Sequence, residues 1–340
     1  MKSRGVRVPR SAGEETRQAL RELGVLRSDL EVGHDGDWLV FPIVDGRNVP
    51  EGLGPPVEHE FDPASSRGPQ DYRELLEWPA AERDALPRSF DVVGDIVLIR
   101  LPDAVESRGP EIGEALLRFV PGARLVGRDR GVQGSERRRL VERLAGSGPW
   151  TTRHRENGIE LEVDLEGAYF SPRLAREHAR IAAEVRDGDR VYDLCCGVGP
   201  FAVTIARDGR AAEIVAVDAN PRAVDRLRAT LARHPYRSKV EVVEDRVERF
   251  LVSKTPFERV VFNLPHEGIK YLPSVGNAVS RAGRLFFYEV VEREARARRP
   301  GQLVEILGGS PRWGLADSRT VHPYSPTSDL VAFTFERAGP

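Results

Sequence analysis

The sequence predicts an α/β protein whose C-terminal half is a doubly wound, mostly parallel sheet that ends in an antiparallel hairpin. From residue 172 onward, helical patterns alternate with short apolar runs, which is typical of such a sheet. A buried run, Val191 to Leu194, ends in a glycine turn that leads into a helical pattern. Only the turn Pro323 to Pro326 separates the last two strands, so they should pair antiparallel at the sheet edge. The predicted strands are 190–194, 213–218, 239–243, 258–263, 284–290, 318–322 and 330–336, with helices between the first five.

The length of 340 residues predicts more than one domain. We expect a small N-terminal unit, a middle α/β unit and a C-terminal unit, over residues 1–65, 71–155 and 156–340. In the first unit a helix is predicted over Glu14–Leu26 and a strand over Trp38–Val44, and a linker follows over 61–70. Because this unit has no candidate catalytic cluster, its expected role is binding or stability.

The middle unit should begin with a strand over Phe90–Arg100, interrupted by a bulge or a hairpin turn at Gly94-Asp95. A helix over Ile112–Phe119 and a strand over Arg124–Gly127 follow. The C-terminal unit then begins with a strand over Ile159–Val163.

The segment 189–201, Asp-Arg-Val-Tyr-Asp-Leu-Cys-Cys-Gly-Val-Gly-Pro-Phe, organises the C-terminal unit. Gly197 and Gly199 let the backbone approach a ligand where a Cβ would clash. The next apolar run ends in Asp218-Ala219-Asn220, which places an acid where the ribose of a nucleotide would lie. The segment therefore predicts a nucleotide-cofactor site.

Two features favour S-adenosylmethionine (SAM) over a nicotinamide dinucleotide as that cofactor. Pro200 and Phe201 follow the second glycine, and Ala202 alone fits the looser form of a dinucleotide fingerprint. The fourth strand ends in Asn263-Leu264-Pro265, which has no role in dinucleotide binding. Such a segment suits an enzyme that holds a planar nitrogenous base beside SAM.

The composition excludes several classes of protein. No stretch approaches the roughly eighteen apolar residues of a membrane span, and no hydrophobic region follows the first residues, so no signal peptide is expected. Cys195 and Cys196 are adjacent, so neither a structural disulfide nor a metal cluster is expected. The histidines at 154, 178 and 266 show no metal-binding spacing and are expected on the surface or in loops. A cytoplasmic, metal-free protein fits these observations.

The charge is unevenly distributed, although the net charge is only −2. Residues 1–27 hold seven Lys or Arg against three acids, and residues 121–155 hold nine Arg against three acids. Two basic segments on a nearly neutral chain indicate a polyanionic partner. A general preference for arginine would also explain them, since the chain has 47 Arg and four Lys.

Five motifs occur in order and at matching spacing. They are Thr-Thr-Arg-His-Arg-Glu-Asn-Gly158, Ala-Tyr-Phe-Ser-Pro-Arg-Leu174 with Glu177, Gly-Val-Gly-Pro-Phe201, Asp-Ala-Asn-Pro221 and Asn-Leu-Pro265. Together they resemble the archaeal and eukaryotic tRNA (guanine-N1)-methyltransferases, which act on the purine 3′ of the anticodon. The similarity runs from about Phe90 to the end and includes the closing Tyr-Ser-Pro326, and the N-terminal unit resembles the family's tRNA-elbow-binding domain.

The resemblance implies a Rossmann-like, class I methyltransferase fold preceded by two small α/β domains. It also implies SAM as cofactor and tRNA as partner, bound through its anticodon loop and its elbow. We therefore expect a monomeric cytoplasmic enzyme that requires no metal.

The chemical requirements for methylation of guanine N1 can be stated independently of the family resemblance. N1 carries a proton at neutral pH, so the enzyme needs a base at N1 and a cation or donor at O6, with N1 in line with the methyl group. The family's general base matches Glu177, although an acid in the first turn of a helix is also stabilised by the helix dipole. The family's arginine for O6 matches Arg137, and Arg138 and Arg139 adjoin it.

The resemblance assigns the remaining site residues. Tyr169 matches the family's active-site tyrosine, Asn263 would contact the base edge, and Pro265 would fix its loop and present carbonyls. Asp218 would take the ribose hydroxyls, and Asp245 would reach the adenine amino group. The expected cofactor residues are Asp193, Cys195, Gly197, Gly199, Pro200, Phe201, Asp218, Ala219, Asn220, Asp245, Arg246 and Asn263. Within this set, Asp193 would orient the loop or the amine of the cofactor.

The sequence departs from the family in two places. Cys195-Cys196 replace the Phe-Ala that often precedes the glycine turn, and the tail after Pro265 lacks the usual alanine and acid. The nearest competing function is that of the related aminocarboxypropyl transferase of the wyosine pathway, which also modifies tRNA with SAM. The sequence also leaves open an enzyme that methylates a wyosine intermediate as well as guanosine, a non-catalytic RNA-binding protein and a nicotinamide-dependent oxidoreductase.

Overall fold

The computed structural model of the chain describes residues 1–47, 49–63, 69–134, 138–252 and 255–339. The chain separates into two units, residues 1–74 and 75–340. The predicted domain boundaries at 65–71 and 155–156 stay predictions. Among the helices in these described ranges, none has the length and apolar character that a membrane span requires.

Residues 1–74 form an antiparallel sheet that shares its core with a helix. The elements are β1 (Lys2–Pro9), α1 (Gly13–Glu22), β2 (Gly33–Asp35), β3 (Trp38–Pro42) and β4 (Pro56–Glu60). The strands follow the spatial order β2-β3-β1-β4. Val6, Leu20 and Phe41, one from each of β1, α1 and β3, are fully buried in one apolar cluster.

The predicted helix over Glu14–Leu26 is too long at its C-terminal end. It ends at Glu22, because Gly24 adopts a left-handed conformation with a φ of 63° that stops the helix. The backbone N–H of Val25 then turns back and donates to the carbonyl of Leu20 at 3.1 Å.

The first part of residues 75–340 is a mixed sheet with helices. Its elements are α2 (Ala80–Asp84), β5 (Asp91–Val93), β6 (Ile96–Ile99), α3 (Gly109–Phe119), β7 (Leu125–Gln133) and β8 (Arg138–Gly146), with strand order β5-β6-β7-β8. The chain reverses between β5 and β6 at Gly94, whose φ is 57°, so the predicted interruption is a hairpin turn. β6 and β7 pair in parallel, and β7 extends six residues beyond the predicted end at Gly127.

A hairpin of β9 (Thr151–Glu156) and β10 (Ile159–Asp164) precedes the large sheet. Asn157 and Gly158 form its two-residue turn, and both have a positive φ, 47° and 74°, as a type I′ turn requires. The side-chain amide of Asn157 donates to the carbonyl of Ala175 at 2.7 Å. This contact fixes the turn on the first residue of the next helix.

The remaining residues form the doubly wound sheet that the sequence predicts. Its elements are α4 (Ala175–Glu184), β11 (Arg190–Leu194), α5 (Pro200–Asp208), β12 (Glu213–Asp218), α6 (Pro221–Arg233), β13 (Val240–Glu244), α7 (Val247–Phe250), β14 (Phe257–Phe262), α8 (Leu272–Asn277), β15 (Val279–Glu292), α9 (Arg299–Leu307), β16 (Trp313–Pro323) and β17 (Ser328–Arg337). The strand order is β13-β12-β11-β14-β15-β17-β16. Strands β11 to β15 are parallel to one another, which confirms the predicted parallel part.

The terminal antiparallel hairpin is also confirmed. β17 pairs antiparallel with β15, and β16 pairs antiparallel with β17 and lies at the sheet edge. Apolar side chains alternate between the two faces of the sheet, so each face has its own core. Val191 and Val261 lie in one core, whereas Leu194, Val260 and Phe287 lie in the other. Full burial of one such side chain stabilises the fold by about 1.5–3 kcal/mol.

Candidate functional site

A cavity of about 490 Å³ lies at the carboxyl ends of four neighbouring parallel strands. Cys195 follows β11, Asp218 ends β12, Asp245 follows β13 and Asn263 follows β14, and all four line the cavity. The strand order reverses between β11 and β14, and ligands of open α/β sheets bind at such a reversal. Because adjacent strands lie about 4.8 Å apart, the four strand ends extend over roughly 14 Å.

The glycine loop between β11 and α5 forms one wall of this cavity. Cys195, Gly197 and Gly199 all have a positive φ, 60°, 57° and 76°. A Cβ on Gly197 would have only the carbonyl of Tyr169 near it, at 3.7 Å, so this backbone is open to a ligand. A Cβ on Gly199 would lie 2.3 Å from a methyl carbon of Leu227, so this glycine permits close packing of the loop on α6.

Asp218 holds the glycine loop through the backbone. Its Oδ2 accepts a hydrogen bond from the N–H of Gly197 at 2.7 Å, and its Oδ1 accepts from the N–H of Asn220 at 2.8 Å. Asn220 is buried, caps α6 by accepting from the N–H of Arg222 at 3.0 Å, and donates to the carbonyl of Gly167 at 2.7 Å. The acid expected at the ribose therefore also sets the shape of the loop.

Asp193 lies behind the loop and is not among the described residues that line the cavity. Its Oδ2 accepts from the N–H of Ala202 in the first turn of α5 at 3.0 Å, and its Oδ1 has no hydrogen-bond partner in the described part of the chain. Burial raises the pKa of Asp193 to about 7, against the lowering effect of the Ala202 N–H, and the charge of Asp218 raises it further. Asp193 thus ties the first turn of α5 to the end of β11.

At the end of β13, Asp245 and Arg246 line the cavity, as expected. The N–H of Asp245 donates to the carbonyl of Asp218 at 3.0 Å, which ties the two strand ends together. Its carboxylate accepts from the N–H of Arg246 at 2.7 Å and from Nε of Arg249 at 2.5 Å. The other expected cofactor residues on the wall are Cys195, Gly197, Pro200, Phe201, Asp218, Ala219, Asn220 and Asn263, whereas Gly199 is not among the described lining residues.

The segment after β14 and Tyr169 also line the cavity. Asn263, Leu264 and Pro265 all line the cavity. The carbonyl of Pro265 accepts from the N–H of Val290 at 3.0 Å, and that of Leu264 accepts from the N–H of Gly268 at 2.7 Å. Both carbonyls therefore anchor the segment on the fold.

Glu177 is buried beside the cavity and is not among its described lining residues. Tyr288 donates its hydroxyl hydrogen to Oε2 of Glu177 at 3.0 Å, and Nε of Arg180 donates to the same oxygen at 3.4 Å. Arg319, on the edge strand β16, donates from Nε to Oε1 at 3.1 Å and from Nη2 to Oε2. The carboxylate is thus held by a hydroxyl and two guanidinium groups from three different elements.

Arg137, expected at O6 of the base, lies outside the described residues. Its neighbour Arg139 is 3% exposed, and Nη2 of Arg139 donates to the carbonyl of Phe170 at 2.7 Å. The guanidinium carbon lies 5.1 Å from the centre of the Tyr169 ring. Arg139 therefore braces the segment that carries Tyr169.

The expectation that His178 lies on the surface or in a loop is wrong. The side chain is 1% exposed, lines the cavity and places Nδ1 2.5 Å from Oε1 of Glu156. The helical spacing of Leu174, His178 and Ile181 could have indicated this buried face. No local pattern indicates Glu156 as the partner, because the two residues belong to different elements.

The described residues contain no group of three or more His, Cys, Asp or Glu side chains that could hold a metal ion. The donor set fits a nucleoside cofactor instead, with an open glycine backbone at β11 and carboxylates at the ends of β12 and β13. The strand end at β14 adds an amide side chain to the same cavity, which suits a nitrogenous base.

Three family models match the chain. They are the TRM5/TYW2 methyltransferase domain over residues 152–309, the TYW2 N-terminal domain over 72–149 and the tRNA methyltransferase 5 N-terminal domain over 5–51. The two N-terminal domain models therefore match segments that precede the methyltransferase domain.

Among the proteins that the chain resembles along almost its whole length are tRNA (guanine(37)-N(1))-methyltransferases. It is 30% identical to the tRNA (guanine(37)-N(1))-methyltransferase Trm5b of Pyrococcus abyssi, over 97% of this chain and 98% of that protein. The crystal structure of Trm5b from Pyrococcus abyssi matches with a TM-score of 0.74 and 27% identity, over 99% of each chain. A complex of aTrm5 with tRNALeu matches with a TM-score of 0.69 and 28% identity, over 98% of this chain and 99% of that chain.

Proposed function

Because the chain belongs to the archaeal and eukaryotic family of SAM-dependent tRNA (guanine-37-N1)-methyltransferases, we propose that it methylates N1 of the guanosine at position 37 of tRNA. The observation that carries the proposal is the cavity at the ends of β11 to β14. There the open glycine loop and the segment Asn263-Leu264-Pro265 line one space.

The cofactor side of this space is built to hold SAM, which supplies an electrophilic methyl group on a sulfonium when bound. Asp218 and Asp245 would accept hydrogen bonds from the ribose and adenine, and the open backbone at Gly197 would pass along the methionine moiety. Apolar and aromatic side chains such as Phe201 exclude water from the same wall.

Glu177 is the proposed acceptor of the proton on N1. Among the described contacts, Oε1 accepts only from Nε of Arg319, so this oxygen keeps a lone pair for a proton, whereas Oε2 accepts from three donors. Arg319 and Tyr288 fix the carboxylate against the sheet. His178, the next residue of α4, lines the cavity, and the proposal requires Oε1 of Glu177 to reach N1 of a base bound there.

The base itself would be held by Tyr169 and by the segment after β14. Tyr169 offers an aromatic face for stacking, and the amide of Asn263 offers a donor and an acceptor for the base edge. Arg137 remains the proposed donor to O6, where negative charge develops as the N1 proton leaves. A base in a single-stranded loop is easily turned out of its stack, which suits a closed cavity.

The RNA would be held by the basic surface. Many arginines of the segment 121–155 are paired with acids of the chain, for example Arg124 with Asp95 at 2.8 Å, so the segment offers fewer free charges than its composition indicates. Arg155 also pairs through Nε with Glu160 at 3.1 Å, but its side chain is 85% exposed and lies in a concavity with Arg207 and Arg237, so it is the proposed phosphate contact. The change Arg155→Ala should weaken tRNA binding and reduce the slope of log affinity against log salt by about one.

We further propose that the unit of residues 1–74 binds the tRNA elbow and that the enzyme acts as a cytoplasmic, metal-independent monomer. Sedimentation of the free protein checks its oligomeric state, and activity in the presence of a chelator checks its independence of metals. Persistent dimers, or loss of turnover with the chelator, would contradict these statements.

A second candidate function is aminocarboxypropyl transfer to tRNA. The observation that favours it is the match of residues 72–149 to the TYW2 N-terminal domain. Methylation of a wyosine intermediate in addition to guanosine is a third outcome that the same cavity allows.

One experiment separates these functions. The protein is incubated with SAM and an unmodified tRNA transcript that carries G37, and the digested nucleosides are analysed by mass spectrometry. Gain of one methyl group on guanosine supports the proposal, whereas gain of an aminocarboxypropyl group or of nothing contradicts it. A transcript with A37 is the matched control and should gain no methylguanosine.

A further inference from the structure

His178 is a buried titratable side chain of the cavity wall that the mechanism above does not use. Phe201 lies in the first turn of α5, and the ring of His178 packs edge-on against its ring with the centroids 4.5 Å apart. Consecutive residues of a helix point about 100° apart. Glu177 is therefore directed to Arg319 on β16, while His178 lines the cavity.

A carboxylate decides which nitrogen of this histidine carries the proton. Oε1 of Glu156 lies 2.5 Å from Nδ1 of His178, and a carboxylate accepts, so Nδ1 carries the hydrogen and Nε2 of a ring with one hydrogen is an acceptor. Glu156 is 8% exposed and ends β9, next to the turn that Asn157 fixes on Ala175. The carboxylate behind the ring orients it and strengthens Nε2 as an acceptor.

The other nitrogen lacks a partner. Nε2 of His178 is buried and makes no hydrogen bond within the described part of the chain. Oε2 of Glu156 makes none there either, and Nε2 of His154 lies 3.9 Å from it. A buried acceptor without a donor is costly, so a donor that reaches the ring from the cavity, a ligand group or a water molecule, has to supply the missing N–H or O–H. The negative charge behind the ring selects a cationic donor over a neutral one.

We propose that Nε2 of His178 accepts a hydrogen bond from the α-ammonium group of the methionine moiety of SAM, with Glu156 as the positioning residue. The identity of the ligand rests on the proposed function. His178 and Phe201 lie on the β11 side of the cavity, whereas Asp218 and Asp245 serve the nucleoside at the ends of β12 and β13. The guanine edge offers only neutral N–H groups, which match the site less well.

Calorimetric binding of three ligands tests the proposal without any turnover. SAM has both the ammonium and the carboxylate, decarboxylated SAM keeps only the ammonium, and 5′-methylthioadenosine has neither. His178→Phe should weaken the binding of SAM and of decarboxylated SAM by about tenfold or more, the size expected for a hydrogen bond to a charged group. Binding of 5′-methylthioadenosine should stay within twofold of the wild type.

If His178→Phe does not fold, two further variants still test the proposal. His178→Gln keeps an acceptor and should lose less affinity than the Phe variant, and Glu156→Gln should shift the same two ligands in the same direction. His234→Asn, at the exposed end of α6, is the matched control and should bind all three ligands as the wild type does.

Equal loss of all three ligands would show a packing role and overturn the proposal. Loss of SAM binding with unchanged binding of decarboxylated SAM would place the carboxylate at His178, which also overturns it. Unchanged SAM binding in every variant would do the same. Failure of the wild-type protein to bind SAM would instead refute the proposed function.

Discussion

The proposed cofactor side of the cavity is held by backbone N–H groups that donate to carboxylates, whereas Glu177, on the proposed base side, is held by side chains from distant parts of the chain. On the cofactor side, Asp218 accepts from Gly197, and Asp193 accepts from Ala202 nine residues later. On the base side, Glu177 accepts from Tyr288 and Arg319, which lie 111 and 142 residues away. The first arrangement is part of the fold, and the second forms only when the terminal hairpin has docked.

Because the contacts differ, substitutions on the two sides should affect different properties of the protein. A change on the cofactor side disturbs backbone geometry, so it should alter the free energy of unfolding. A change on the base side removes a functional group and leaves the backbone in place, so it should alter turnover.

The largest effect is expected for Glu177→Gln. Turnover at saturating tRNA and SAM should fall by about 10²- to 10⁴-fold, because glutamine cannot take the N1 proton. The melting temperature should change little, since glutamine keeps an acceptor oxygen and Arg319 keeps its contact with Asp317 at 2.8 Å. Single-turnover kinetics and a thermal unfolding curve measure the two quantities.

Glu184→Gln is the matched control for that variant. Glu184 lies on the same helix and also contacts arginines, with Nη1 of Arg180 at 3.6 Å. It should retain wild-type turnover. Wild-type turnover in Glu177→Gln would remove this residue from the mechanism and remove the contrast between the two sides.

On the cofactor side, Asp193→Asn should change how stability depends on pH. The raised pKa means that the folded protein holds this proton more tightly than the unfolded chain. The resulting stability is fully present below about pH 4 and is lost as the pH rises through about 7. Denaturant unfolding of the wild type at pH 5 and 8 should show this loss, about 3 kcal/mol from this group, and the Asn variant should lack it. An equal change in the free energy of unfolding between pH 5 and pH 8 in both proteins would argue against a buried, neutral carboxyl.

Gly199→Ala should lower the free energy of unfolding by about 2–4 kcal/mol. The change combines a left-handed φ of 76° with a Cβ that would lie 2.3 Å from Leu227. Gly188→Ala is the matched control, because Gly188 has a φ of 85° but nothing within 4 Å of the added Cβ. It should cost about 1–2 kcal/mol. Equal melting temperatures for the two variants would show that the contact with α6 does not constrain the loop.

The smallest effect is expected from deletion of residues 1–74, which have a core of their own and of which no described residue lines the cavity. The dissociation constant for tRNA should rise about tenfold, which corresponds to about 1.4 kcal/mol. SAM affinity and turnover at saturating tRNA should stay near the wild-type values. Unchanged tRNA affinity in filter binding would separate this unit from RNA recognition.

Much of the cofactor side could be predicted from the sequence, because its signals are local. A buried run followed by Gly197 and Gly199, and a second run that ends in Asp218, fix both the strand ends and the loop between them. The helix end at Glu22 was less predictable, because one left-handed glycine outweighed an apolar spacing that continues to Leu26.

The sequence by itself determined the α/β class, the parallel strands with their terminal hairpin and the residue types at the strand ends, since periodicity and turn residues act over a few positions. Only the tertiary structure decided that Glu177 is held by Arg319 and that His178 is buried against Glu156. The physical reason is that such contacts join residues far apart in the chain, and no local pattern records which of many arginines or acids the fold brings within hydrogen-bonding distance.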